Sequence, residues 1–192
     1  KDGGIWILEQ ATIDSVMSSG AWDQICHEHM EYYGVDQLLD ILERASLRIV
    51  GMERNTANGD SFRIIAQKGG NLPKLETPGR WLILADYNWG RLRERINRNC
   101  SELKAFLEAE KAAGRVVWGY GASTKGNVVL QRAGIGPELL PLILDANAEK
   151  QGCVTPGTGI PIVYQPDAWS VREPRPDALL VLPWHFRNFI IE

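Results

Sequence analysis

The sequence predicts an α/β protein that ends in a Rossmann-like domain with a parallel β-sheet. From residue 115 onward, polar or helical stretches alternate with short, continuous apolar runs at 115–119, 140–145, 160–163 and 178–182. Runs of this kind are typical of parallel strands that are covered on both faces. A glycine-rich loop follows the first run, where Rossmann-like folds place a phosphate-binding turn. The 192 residues, 44% of them apolar, suffice for one large domain or slightly more.

The N-terminal region is predicted to contain a strand, a helix and a β-hairpin. A continuous apolar run at residues 5–8 predicts a buried strand, and the stretch 12–20 after it is short and polar. Residues 36–46 place their apolar side chains on one helical stripe, with Asp36 as the expected N-cap. Two further apolar runs, at residues 47–50 and 62–66, flank a turn-like stretch at residues 55–60 and predict a β-hairpin.

A stretch rich in glycine and proline divides the chain after residue 68, and it predicts a linker. A long helix is then predicted from Tyr87 to Ala113, because apolar residues recur on one of its faces and Gly114 ends it. The segment from Trp184 starts an amphipathic pattern without a stop signal, so the last domain is expected to be truncated at its C-terminus. The predicted parts are a first region at 1–68, a linker at 69–86 and a Rossmann-like domain at 87–192.

Composition and charge exclude several classes of function. The net charge is −3 and the basic residues are dispersed, which argues against a nucleic-acid-binding protein. No apolar stretch approaches the roughly 18 residues of a membrane span, and the N-terminus does not resemble a signal peptide. The three cysteines show no CxxC spacing and favour a reducing compartment. We therefore expect a cytoplasmic protein that contacts neither nucleic acid nor membrane.

The glycine-rich loop at residues 119–127 has the spacing Gly-x-Gly-x4-Gly. It departs from the dinucleotide-binding Gly-x-Gly-x-x-Gly pattern and also from the Walker A pattern. A phosphate would suit this loop, because it offers backbone amides, a helix N-terminus and Lys125. Asp145, 24 residues after Gly121, lies where a ribose-binding residue is expected. A tight strand-to-helix turn without ligand is the alternative. The residues predicted to bind ligand are Gly119, Gly121, Ser123, Thr124, Lys125, Gly126, Asn127 and Asp145.

Two of the three histidines flank a glutamate, as His27-Glu28-His29. Histidines two residues apart share one face only in an extended segment. A histidine beside a carboxylate is suited to abstract a proton, although an ordinary surface or core pair would give the same pattern. A zinc site is a poor match, because no distant fourth ligand accompanies these residues, and we predict no metal.

Three blocks of the sequence, in this order, resemble the sugar C-methyltransferase family. Residues 1–9 (KDGGIWILE) are similar to the late strand of a class I methyltransferase domain. Residues 23–32 (DQICHEHMEY) resemble the family's catalytic segment D-x-I-Y-H-E-H-x-x-Y. The family's C-terminal Rossmann-like domain is matched by four segments, at 119–127, 150–152, 156–162 and 182–184.

The resemblance implies that the chain holds the tail of a class I methyltransferase domain, with the hairpin and the long linking helix, followed by the Rossmann-like domain. It implies S-adenosylmethionine-dependent methylation of a carbon beside a ketone on a nucleotide-linked deoxysugar. His29 would be the general base, Glu28 would orient it or contact the sugar, and His27 and Tyr32 would line the site. Further substrate contacts would come from the loop at 119–127 and from Cys26, Asn58 and Ser61.

The chain departs from the family pattern at identifiable places. Cys26 stands where the family has tyrosine, so a phenol donor would be missing, and Asp60 replaces a glycine and adds negative charge. The methyl-donor turn and the cysteine-rich zinc domain of the family are not in these residues, so the chain by itself is expected to be inactive. Two other interpretations stay open: a non-catalytic module that binds a nucleotide or nucleotide sugar, and an NAD-dependent oxidoreductase suggested by the glycine loop alone. Neither the sugar nor the oligomeric state is predicted.

Overall fold

Seven strands in the described part of the chain form two separate sheets, one in each of two compact units. The computed structural model describes residues 2–69, 87–171 and 174–191. The units are Lys1–Arg93 and Glu94–Glu192. From residue 70 on, the predicted linker at 69–86 lies outside the described residues, so that boundary stays a prediction.

The first unit holds an antiparallel three-stranded sheet in the order β1-β3-β2. The predicted hairpin and the presence of the first strand are confirmed, since β1 pairs with β3 and β2 pairs with β3. The prediction that the first strand is buried is wrong, because β1 is an edge strand whose Ile5, Trp6 and Ile7 side chains are about half exposed. Its core lies between α2 and the sheet and includes Leu38, Leu42 and Ile64. The elements of this unit are β1 (Ile5–Gln10), α1 (Ile13–Ser19), α2 (Val35–Arg44), β2 (Leu47–Asn55) and β3 (Ser61–Lys68).

The starts of two helices in this unit differ from expectation. The polar stretch 12–20 contains α1, which is held at its ends by a Thr12–Ser15 capping box and by Gly20 in the left-handed region at φ 80°. The prediction of Asp36 as the N-cap of α2 is wrong, because the cap is Gly34 and Asp36 lies in the first turn. The amide of Val35 donates to the buried carboxylate of Asp14, which ties the start of α2 to α1.

The second unit holds four parallel strands in the order β6-β5-β4-β7, which confirms the Rossmann-like α/β prediction. One face of the sheet is covered by a cluster that includes Leu107, Leu130 and Ile143, and a second cluster contains Trp118 and Leu144. The elements are α3 (Trp89–Ala112), β4 (Val117–Tyr120), α4 (Thr124–Ala133), β5 (Ile143–Asp145), β6 (Ile162–Tyr164), α5 (Gln165–Val171), β7 (Ala178–Val181) and α6 (Arg187–Ile191). Helix α3 begins in the first unit, since the division follows Arg93.

The glycine-rich loop is shorter than expected. The sequence predicts a loop over residues 119–127 before a helix that starts at Val128, but α4 starts at Thr124. The side chain of Ser123 accepts a hydrogen bond from the amide of Gly126, so it caps the helix.

Among the residues that the structure describes, no helix is both long and apolar enough to cross a membrane.

The hydroxyl of Tyr87, just before α3, donates to Asp14 Oδ1 at 3.3 Å. Burial, with the negative charges of Asp14 and Asp36, raises the pKa of Tyr87 to about 12 from its ordinary 10.0. The unfolded tyrosine therefore loses its proton at a lower pH than the folded one does. The stability that protonated Tyr87 contributes is complete below about pH 10 and is lost as the pH rises towards about 12.

We expect the free energy of unfolding to decrease between about pH 10 and about pH 12 partly through Tyr87. Urea unfolding at a series of pH values measures this decrease. Tyr87→Phe removes the titrating hydroxyl and should show a shallower decrease over the same range. Equal slopes for the two proteins would contradict the assignment.

Candidate functional site

The predicted site residues fall into two groups, one in each unit. The first unit holds the His27-Glu28-His29 segment, Cys26, Tyr32 and the turn that contains Asn58 and Ser61. The second unit holds the glycine-rich loop and Asp145. The geometry of each group is described within its own unit.

The histidine segment follows a buried single turn of 3₁₀ helix, Trp22–Gln24. After it the chain becomes exposed, and the amide of His29 donates to the carbonyl of Cys26 at 3.1 Å. This bond closes a turn in which His27 and Glu28 are the exposed central residues. The segment is therefore a tight turn rather than an extended strand, and the two histidines do not share a face through strand alternation.

His29 is held by a backbone group. Its Nδ1 lies 2.8 Å from the carbonyl oxygen of Gln24. A carbonyl oxygen can only accept, so Nδ1 carries the proton and, in the neutral ring, Nε2 keeps its lone pair. The side chain of His29 is exposed. This arrangement prepares Nε2 to take a proton, as a general base must.

Tyr32 and Cys26 lie beside His29. The Tyr32 hydroxyl donates to the Cys26 carbonyl at 3.3 Å, and its ring meets the His29 ring edge-on at a centroid distance of 6.0 Å. Partial burial raises the pKa of Tyr32 above its ordinary value, so the phenol stays protonated at neutral pH. The structure therefore brings Cys26, His29 and Tyr32 together, with a phenol donor close to the position where Cys26 lacks one.

The predicted glycine-serine turn connects β2 and β3. Asn58 has a left-handed backbone, with φ 52°, and the buried Ser61 hydroxyl donates to the carbonyl of Ala57 at 2.8 Å. The carboxylate of Asp60 is paired with the guanidinium of Arg54, whose Nε lies 2.7 Å from Oδ1. The negative charge expected at Asp60 is therefore offset by a neighbouring cation. The roles of Asn58 and Ser61 in binding substrate stay predictions.

Packing accounts for the three glycines of the loop in the second unit. A Cβ on Gly119 would lie 2.7 Å from the side chain of Ile143, and one on Gly126 would lie 2.6 Å from Leu182. Gly121 has φ +81°, and a Cβ there would lie 2.6 Å from Pro183. Each position thus needs glycine for the close approach of strand and helix, with or without a ligand.

Most amides of this loop already donate within the protein. The amide of Gly121 donates to the carbonyl of Leu144, that of Ser123 to the carbonyl of Gly121, and that of Asn127 to the carbonyl of Ser123. The amide of Ala122 donates to the Asp145 carboxylate, and that of Gly126 donates to the Ser123 hydroxyl. The geometry agrees with the tight capped turn that is the alternative interpretation. The predicted phosphate contact at the first turn of α4, at Thr124 and Lys125, stays a prediction. Asn127 Oδ1 is buried and accepts no hydrogen bond from the described residues, which suits a hydroxyl or N–H donor better than a phosphate oxygen.

Asp145 fixes the loop from the end of β5. It is 8% exposed, and its carboxylate accepts from the amides of Ala122 and Asn147, both at 2.8 Å. Lys150 completes the arrangement, with Nζ 3.0 Å from Asp145 Oδ2 and 2.9 Å from the carbonyl of Ala122. Sequence reasoning assigned Asp145 to a ribose and did not assign Lys150 any role. The sequence signal that could have indicated this pair is a lysine five residues after the acid that ends the strand.

No cluster of three or more His, Cys, Asp or Glu side chains in the described ranges could hold a metal ion. Cys26, Cys100 and Cys153 are free thiols, and burial raises the pKa of Cys100 above its ordinary value.

Comparison with known proteins adds two findings. Residues 82–192 match the family described as C-methyltransferase C-terminal domain. The chain is also similar to C-methyltransferase NovU from Streptomyces niveus, with 26% identity over 200 aligned residues. That alignment covers 98% of this chain and 46% of the relative, so the chain spans about half the length of the relative that it matches.

Proposed function

Because the chain belongs to the C-methyltransferase family, whose C-terminal domain it matches over residues 82–192, we propose that it works as the C-terminal portion of an S-adenosylmethionine-dependent enzyme. The proposed acceptor is a carbon beside the ketone of a nucleotide-linked deoxysugar. The hydrogen bond between His29 Nδ1 and the Gln24 carbonyl is the single observation that carries this proposal, because it leaves Nε2 as a proton acceptor in an exposed segment.

His29 performs the step that a carbon acceptor requires. A carbon beside a carbonyl becomes a nucleophile only when it loses a proton, and a positioned base typically contributes about 10²–10⁴-fold to such a step. The proton moves to Nε2, and the ring becomes an imidazolium. The carbonyl of Gln24 then accepts the Nδ1–H of a charged ring, which strengthens that hydrogen bond. The backbone thus orients the base and stabilises its protonated form.

S-adenosylmethionine supplies an electrophilic methyl group when it is bound. The glycine-rich loop does not fit that group. It resembles a nucleotide-binding turn, but five of its amides already donate within the protein. The chemistry assigned to this chain is therefore the proton transfer to His29, and the methyl donor is proposed to bind to residues outside this chain.

The second unit is proposed to hold the nucleotide part of the substrate. Lys125, in the first turn of α4, supplies a positive charge at a helix N-terminus, where an anion is stabilised. The Asp145–Lys150 pair holds the preceding loop in place. The phosphates are proposed to contact α4, and the buried Asn127 Oδ1 to accept from a hydroxyl or N–H of the nucleoside.

Calorimetric titration of this chain tests the proposal against the alternative of a non-catalytic module. ADP, GDP, UDP and dTDP are titrated in turn, followed by S-adenosylmethionine. We expect one or more nucleoside diphosphates to bind and S-adenosylmethionine not to bind. Lys125→Ala should weaken nucleotide binding about tenfold, the effect of one lost charged contact of ~1.4 kcal/mol.

Lys111→Ala is the matched control, since Lys111 is an exposed lysine of the same unit that donates to the carbonyl of Glu138. Its nucleotide affinity should equal that of the wild type. The absence of binding by all four nucleotides would contradict the proposed role of the second unit. Binding of nucleotide by a full-length protein that transfers no methyl group would favour the non-catalytic module.

A further inference from the structure

The side-chain Nε2 of Gln24 is a buried donor that has no hydrogen-bond partner within the described part of the chain. Gln24 is 3% exposed, and its Nε2 donates to no acceptor among the described residues. Buried amides are nearly always paired, because leaving one unpaired costs the whole desolvation penalty of the group. Gln67 of the same unit shows the usual case, since it is 7% exposed and its Nε2 lies 3.3 Å from the carbonyl of Gly3.

Gln24 is also the residue that holds the base. Its carbonyl accepts from His29 Nδ1 at 2.8 Å and from the amide of Cys26 at 3.0 Å. Both hydrogen bonds end on the same oxygen, so they fix the carbonyl of Gln24 at the start of the turn. The exposed part of the chain starts at the next residue, Ile25, which is 40% exposed. Gln24 is thus the last buried residue before the exposed His29. Its unpaired amide lies on the same residue whose carbonyl orients His29.

We propose that Gln24 is a catalytic residue whose Nε2–H donates to the carbonyl oxygen of the acceptor sugar. This inference rests on the proposed function. When the carbon beside the ketone loses its proton, the C–H bond breaks, the proton goes to His29 Nε2, and the electron pair moves onto the ketone oxygen. A donor to that oxygen stabilises the enolate as its charge develops. A donor that is already shielded from water does this without reorganisation of solvent.

The neighbouring side chains of this turn are weak or engaged donors. Cys26 occupies the place where the resemblance predicts a tyrosine, and a thiol is a weak donor. The Tyr32 hydroxyl is engaged with the Cys26 carbonyl. A carboxamide N–H is a stronger donor than a thiol, and the one on Gln24 has no competing acceptor in the described residues.

The test compares Gln24→Met with the wild type in the full-length enzyme. Methionine has a similar shape but no donor. We expect kcat to fall about 100-fold, the typical effect of one lost oxyanion donor, with little change in KM. The melting temperature should stay equal or rise, because an unpaired buried amide is replaced by an apolar group. A purely structural role would give the opposite pattern, a lower melting temperature with kcat unchanged.

Two further variants make the result decisive. Gln67→Met, the matched control, should lower the melting temperature and leave kcat within about twofold of the wild type, because it removes a paired amide. If Gln24→Met does not fold, Gln24→Leu carries the test, since leucine is apolar, of similar size and without a donor. Wild-type kcat in the folded Gln24 variant overturns this inference. If His29→Asn is inactive in the same assay, wild-type kcat in the Gln24 variant overturns only the role of Gln24 and leaves the proposed function intact. If His29→Asn is active, the proposed function and the role of Gln24 are both overturned.

Discussion

Replacing His29 with asparagine is expected to abolish methyl transfer by the full-length enzyme, with kcat lower by about 10³-fold or more. Asparagine can still meet the Gln24 carbonyl, but it has no ring nitrogen that accepts a proton. The affinity for the nucleotide should not change, because the proposed nucleotide contacts lie in the second unit. Steady-state kinetics of methyl transfer and nucleotide titration together check the prediction.

His27→Asn is the comparison for this variant. His27 is exposed at the centre of the turn, and it is predicted to line the site rather than to take the proton. We expect its kcat to fall by no more than about tenfold, the effect of one contact of ~1.4 kcal/mol. If His29→Asn turned over at the wild-type rate, the assignment of the base would be wrong. If His27→Asn were the inactive variant, the base would be His27.

Replacing Asp145 with alanine is expected to destabilise the second unit by about 3 kcal/mol. The carboxylate accepts from the amides of Ala122 and Asn147 and pairs with Lys150. Its loss leaves these donors without their acceptor at a site that is 8% exposed. The loop before α4 is released at the same time, so nucleotide affinity should also fall. Urea unfolding and hydrogen exchange at the amide of Ala122 measure the two effects.

Asp177→Ala is the control for this prediction. The carboxylate of Asp177 also accepts from a backbone amide, that of Val116 at 2.7 Å, but it is exposed. Its replacement should cost about 1 kcal/mol or less. Equal losses of stability in the two variants would show that the position of Asp145 has no special role.

Sequence periodicity was sufficient for the parts of the fold that bury continuous apolar runs. The four parallel strands, the hairpin and the long helix α3 follow from patterns that burial imposes on the chain. Helix α1 was missed because it has few apolar residues, and its ends are set by the hydrogen bonds of Thr12 and Ser15 instead. The start of α2 was misplaced because its cap depends on Gly34 and on the distant carboxylate of Asp14.

The candidate site was predictable to a smaller degree. The identity of the histidine segment came from local sequence, but the group that orients His29 is a backbone carbonyl, which no side-chain pattern can reveal. In the second unit, the glycine pattern suggested a phosphate site, yet each glycine has a packing reason that only the neighbours Ile143, Pro183 and Leu182 make visible. Tertiary contacts therefore decide what a short motif does.

The tautomer of His29 tests the central claim most directly. Nitrogen-15 NMR of this chain in mildly alkaline buffer distinguishes a protonated ring nitrogen from a bare one. We predict that Nδ1 of His29 is protonated and Nε2 is bare, because the Gln24 carbonyl holds the proton on Nδ1. A ring whose Nε2 carries the proton would contradict the assignment of His29 as the base.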